Sequence, residues 1–130
     1  MRQLQLDIEP QLDARISDFS GPGWGNVVDA VRQLHAGLVS RFYVYGGAGT
    51  GKSHLLSAIC ESYLELGRRA IKVSLLELLD APIEAITSLE FYELVALDDI
   101  DAISGVPHWQ KAVFHLINNH EGQLVFSSRV

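Results

Sequence analysis

The stretch YVYGGAGTGKSHLL, Tyr43 to Leu56, joins a short run of β-formers to an apolar helical face through a glycine-rich turn. Phe42 to Tyr45 reads as a buried strand ending at Gly46, and Leu55, Leu56, Ile59, Tyr63 and Leu66 recur at helical spacing until Gly67. Between them Gly46-Gly47-Ala48-Gly49-Thr50-Gly51-Lys52-Ser53 fits G-x-x-x-x-G-K-[ST] in full, in the strand–loop–helix context the pattern requires. The glycines allow positive φ and close approach of the backbone, so successive N–H groups can converge on an anion. The start of the following helix adds unpaired N–H groups and the positive end of its dipole. Lys52 brings a full charge to the β and γ phosphates of a nucleotide, and the Ser53 hydroxyl suits Mg²⁺. His54, next on the first turn, is grouped with the loop as a nucleotide-binding residue, or else caps and packs. A glycine turn that merely rounds a corner needs neither Lys52 nor Ser53.

A second segment, ELVALDDID from Glu93 to Asp101, is an apolar strand that runs into adjacent carboxylates. Beside the loop strand it would deliver Asp98 to the metal that Ser53 binds. Asp99 stands where a catalytic base or water-positioning group would be, one methylene shorter than a glutamate, which implies slow hydrolysis. The bland alternative for the pair is an exposed acidic turn after a strand.

Composition bounds the rest. The chain has 130 residues, 48% of them hydrophobic, enough for one domain with a core. With 16 acidic against 10 basic side chains and a formal charge of -6, direct sequence-specific DNA binding is not expected. A lone Cys60, no charged leader with a cleavage site and no apolar run of membrane length imply a soluble, cytoplasmic protein with no membrane role. His108, His115 and His120 lack the spacing and company of a metal site.

Along the chain, Met1 to Ser20 reads as an extended arm. After GPGW, Val27, Val31, Leu34 and Leu38 share one face of a helix that begins near Gly25 and ends near His35. Ala70 to Leu75 predicts a strand, Glu77 to Leu89 a broken helix restarted at Pro82, and Leu94 to Leu97 the strand before Asp98. Pro107 suits the first turn of a helix whose Trp109, Val113, Leu116 and Ile117 share a face, and Gln123 to Ser127 predicts a further strand. Strands alternating with helices predict a parallel α/β sheet in three αβα layers, with function at the carboxyl ends of the strands.

These residues resemble the AAA+ ATPases of the DnaA clade and, within it, the Hda-type regulators. VYGGAGTGKSHLL is similar to the clade's phosphate loop, and VALDDIDAISG to its acidic strand with the glycine that follows. QLVFSSRV is similar to its sensor 1 strand, with Ser127 or Ser128 as the polar residue. ISDFSGPGWGNVVDAV is similar to the segment that borders the adenine, which implies contacts from Ile16 and Phe19. The arm's Gln3-Leu4-Gln5-Leu6-Asp7-Ile8 is similar to the Gln-Leu-x-Leu peptide by which the Hda type binds the DNA polymerase sliding clamp, with Gln3, Leu4, Leu6 and Ile8 as contacts. The same alternation is what an edge strand has. The resemblance implies a P-loop NTPase core over residues 16–130 behind an arm over residues 1–15. It also implies a fifth strand, an arginine reaching a neighbouring subunit and a helical lid, all beyond Val130, and a sheet edge left open where the fifth strand would lie.

The implied function is regulatory: ATP or ADP with Mg²⁺ in the loop, the arm on the clamp, and a DnaA-like initiator prompted to hydrolyse its own ATP, with homo-oligomerisation open. The alternatives are an autonomous ATPase such as a helicase loader of the same clade, and a P-loop kinase for a small nucleotide.

Overall fold

In a computed structural model the described residues are 2–5, 25–45 and 51–129, with side chains described from residue 28 onward. Among them the strands β1 (Arg2–Gln5), β2 (Arg41–Tyr45), β3 (Ala70–Ser74), β4 (Leu94–Asp98) and β5 (Gln123–Ser128) form one sheet. Its order is β1-β2-β5-β4-β3, and every neighbouring pair is parallel. Parallel strands need helical crossovers, and the helices α1 (Gly25–His35), α2 (Lys52–Glu65), α3 (Leu75–Leu78) and α4 (Pro107–Asn119) alternate with them in the chain.

Strand β4 shows why two layers of helix are required. All five of its residues are buried, and they alternate between two cores. Leu94 and Ala96 join Val31 and Leu34 of α1 and Leu55, Ile59 and Tyr63 of α2. Val95 and Leu97 join Leu75, Trp109, Val113 and Leu116 on the opposite face, with Phe126 of β5. The expected αβα layering is therefore the observed one.

Helix ends follow local chemistry. Gly67, at φ +74°, accepts the left-handed turn after α2, where its N–H donates to Leu64 O and that of Arg68 to Tyr63 O, both at 3.0 Å. Pro107 opens α4, where its missing N–H costs nothing. The far end of α4 is closed by Arg41, whose guanidinium donates to the carbonyls of Ile117 (2.8 and 3.1 Å), His120 (2.7 Å) and Gly122 (2.9 Å). This fork ties β2 to the turn into β5 and satisfies carbonyls that a helix leaves open.

Four expectations are corrected in detail. Leu38 lies beyond α1 and is 78% exposed, and Leu66 lies beyond α2 and is 60% exposed, so neither extends its helix's buried face. Leu75 opens α3 instead of closing β3. After Pro82, Ile83–Phe91 winds as a 3₁₀ helix, where Thr87 and Ser88 hydroxyls donate to the carbonyls of Glu84 and Ala85 three residues back. The acidic strand β4 does not lie beside the loop strand β2: β5 stands between them, pairing with both, while Arg2–Gln5 lies along the other side of β2 with Gln3 opposite Tyr43 and Leu4 opposite Val44.

Candidate functional site

Gly46 to Thr50, together with Ile16, Phe19, Leu6 and Ile8, lie outside the described residues. The site is therefore built from Gly51 onward. Gly51 caps α2 at φ +87°, a left-handed conformation that a Cβ would oppose, and its carbonyl accepts the N–H of Leu55 at 2.9 Å. No side chain caps this helix start. Lys52 is buried at 8% exposure, Ser53 is exposed and His54 half-buried.

Across the sheet, β4 carries Asp98 to its carboxyl end, where it is 6% exposed. One carboxylate oxygen accepts a hydrogen bond from the Ser127 hydroxyl on neighbouring β5. That hydroxyl also accepts the backbone N–H of Asp99 at 3.0 Å. Asp99 sits at φ 57°, ψ 50°, and among the described residues it alone outside glycine has positive φ. Asp and Asn tolerate this conformation better than other side chains. Burial raises the Asp99 carboxyl above its ordinary pKa, and the charges of Asp98 and Asp101 raise it further, while Arg129 and Lys52 pull the other way.

The loop helix and the acidic strand are joined by a residue the motif reading did not single out. Lys72 of β3 extends its ammonium to the hydroxyls of Ser53 (2.7 Å) and Ser57 (3.0 Å), with the other carboxylate oxygen of Asp98 at 3.9 Å. The signal was there to find: AIKVS puts one charge in the middle of a strand, two residues from Ser74, which lies opposite Asp98 in the β3–β4 register. Ser53, Lys72, Ser74, Glu77, Asp98 and Asp99 line one open cleft.

The structure thus gathers Ser53, Asp98, Asp99 and Ser127 at one end of the sheet, with Lys52 at the start of α2. Of the two sensor candidates, Ser127 reaches Asp98 and Asp99; Ser128 is buried at the end of β5, opposite Tyr45. A hydroxyl and a carboxylate are hard oxygen donors of the kind Mg²⁺ takes, so Ser53 and Asp98 fit that ion in type, with the Lys72 ammonium between them. Elsewhere, no group of three His, Cys, Asp or Glu side chains among the described residues could hold a metal. His120 is a core residue: Nε2–H donates to Tyr92 O at 2.7 Å and Nδ1 accepts from Gly122 N at 3.1 Å, which fixes the tautomer. Burial pushes the Cys60 thiol up to about 11, as suits a packing residue. No helix among the described residues is long and apolar enough to cross a membrane.

No family model matches the chain. An uncharacterized protein of Haemophilus influenzae is 36% identical over 118 residues, covering 90% of this chain and 51% of that protein. Among solved structures, AMPPCP-bound DnaA from Aquifex aeolicus superposes with a TM-score of 0.76 at 26% identity, over 92% of this chain and 43% of that one. A protein proposed as a primosome component, from Streptococcus pyogenes, has a TM-score of 0.63 at 19% identity, over 99% of this chain and 76% of that one. The chain spans about half the length of that Haemophilus influenzae relative. The chain shares the fold of the DnaA AAA+ domain.

Proposed function

We propose that the chain is the nucleotide-binding part of a regulator of bacterial DNA replication initiation, of the Hda type. In this reading Gly46 to His54 hold the phosphates of ATP or ADP, Ile16 and Phe19 border the adenine, and Ser53 and Asp98 hold Mg²⁺, which would supply charge neutralisation at the phosphates. The observation that carries it is the Asp98–Ser127–Asp99 hydrogen-bond set at the carboxyl ends of β4 and β5, with Asp98 and Asp99 lining one cleft with Ser53 of the loop helix. The set couples a metal-ligating carboxylate, the next acidic residue and a polar side chain on the adjacent strand. An AMPPCP-bound DnaA structure of the same fold supports an adenine nucleotide as the ligand.

The regulatory reading adds the arm. Gln3, Leu4, Leu6 and Ile8 would fill a groove on the sliding clamp as an extended segment, and the extended backbone of Arg2–Gln5 along β2 is consistent with that conformation. The partner would be a DnaA-like initiator whose ATP hydrolysis the clamp-bound chain promotes. Clamp capture with Gln3 and Leu4 both replaced by alanine tests the tether: binding is expected to be lost, and undiminished binding would refute it.

Asp99 favours a second reading, an autonomous ATPase such as a helicase loader. Its carboxyl, raised by burial and by Asp98 and Asp101, is tuned toward proton acceptance. Measurable turnover that collapses in Asp99→Asn would favour it over the regulator.

A further inference from the structure

We propose that Lys72 is a built-in cation of the nucleotide site, which lets the chain bind a nucleoside diphosphate with little dependence on Mg²⁺. The inference rests on the nucleotide reading and deepens it. Ser53 and Asp98 are the residues that would hold a divalent ion here, and in the structure the Lys72 ammonium lies between them: Ser53 Oγ is 2.7 Å from Nζ and Asp98 Oδ2 is 3.9 Å from it.

Three features fix the position of this charge. Lys72 belongs to β3, on the face turned to α2, so its stem is fixed by the sheet. Ser53 and Ser57 lie one helical turn apart on α2 and both receive the same ammonium, which orients it over the start of the loop helix. Asp98, its acidic neighbour, is itself held in place by the Ser127 hydroxyl.

An ammonium has three donors and no acceptor, and among the described residues two of the three go to hydroxyls on one side. It presents a compact positive charge on the open side of the cleft, where a phosphate oxygen would approach beside Lys52. Mg²⁺ demands close octahedral oxygens and cannot share Ser53 and Asp98 with a cation lodged between them. The ion must therefore displace Lys72 or bind weakly. Removing the lysine should cost affinity when no metal is present and should free both ligands for Mg²⁺ when it is.

Titration of the 130-residue chain with a fluorescent ADP analogue, in EDTA and in excess Mg²⁺, reads this as a ratio of dissociation constants. The wild-type ratio is expected within about threefold, and Lys72→Met is expected to raise it to about tenfold or more by weakening binding in EDTA. Lys72→Gln, which keeps a hydrogen-bonding side chain without the charge, should behave as Lys72→Met does and guards against a packing defect. A wild-type ratio already above about tenfold, unchanged in both variants, would overturn the role of Lys72 while leaving nucleotide binding intact. Absence of binding by the wild type in both conditions would overturn the nucleotide reading and this inference with it.

Discussion

The Ser127 hydroxyl donates to the carboxylate of Asp98 and accepts the backbone N–H of Asp99, so one side chain on β5 fixes both acidic residues at the end of β4. The bond to Asp98 holds a largely buried carboxylate in a set orientation at the edge of the cleft. The bond to Asp99 steadies a backbone turn in the left-handed region, which only a few residue types enter.

Ser127→Ala removes both bonds and leaves a buried carboxylate oxygen and a backbone N–H without their partner. A loss of about 2 kcal/mol is expected, since bonds to charged groups sit at the upper end of the usual range. In urea unfolding the midpoint should fall with an unchanged slope. An unaltered midpoint would mean that the hydroxyl is dispensable to the turn.

Asp99→Asn should stabilise the chain at neutral pH. The folded state holds the Asp99 proton more tightly than the unfolded chain, through burial and the charges of Asp98 and Asp101. Stability from the protonated form is thus present near and below the ordinary value of 3.8 and is lost as pH rises through the raised one. Asparagine, neutral throughout and tolerant of positive φ, escapes that loss. Melting curves should show Tm higher by a few degrees at pH 7, with the gain shrinking as pH falls toward 4. A variant that melts lower at pH 7 would contradict the electrostatic cause. Gain of stability with loss of a charged group is the pattern of a residue retained for function.

His35 sets a second pH dependence with the opposite slope. Its Nε2 pairs with the Ser62 hydroxyl at 2.8 Å and its ring meets Tyr63 edge-on, while burial and the nearby Arg68 charge hold its pKa below the ordinary 6.5. The folded state therefore favours neutral imidazole, and its stability contribution is present above 6.5 and lost as pH falls through the lowered value. Unfolding midpoints measured from pH 7.5 to 5 should decline more gently in His35→Gln than in the wild type. Parallel curves would remove His35 as the source.

Much of this arrangement was legible in the sequence because the residues concerned are constrained by local rules. The G-x-x-x-x-G-K-[ST] spacing put Ser53 on the first turn of α2, and the apolar run into Asp98 marked β4 as a strand, which the structure buries on both faces. Lys72 was not legible in the same way. A lysine in AIKVS fits any half-exposed strand, and only the β3–β4 register and the approach of α2 bring it to Ser53 and Asp98. The pairing of Arg2–Gln5 with β2 is equally non-local: alternating Gln and Leu suit a groove peptide and an edge strand alike, and nothing local in the sequence names β2 as the neighbour. Leu38 and Leu66 show the converse error: apolar periodicity ran past the left-handed Gly37 in one case and up to the cap before the left-handed Gly67 in the other, where both side chains turn to solvent.

Everything proposed about function depends on a nucleotide occupying the loop, and calorimetric titration of the chain with ADP and with ATP measures that. One saturable site is expected in the wild type, lost on Lys52→Ala, with the variant's fold verified by an unchanged circular dichroism spectrum. No heat of binding for either nucleotide, or binding that survives Lys52→Ala undiminished, would contradict it.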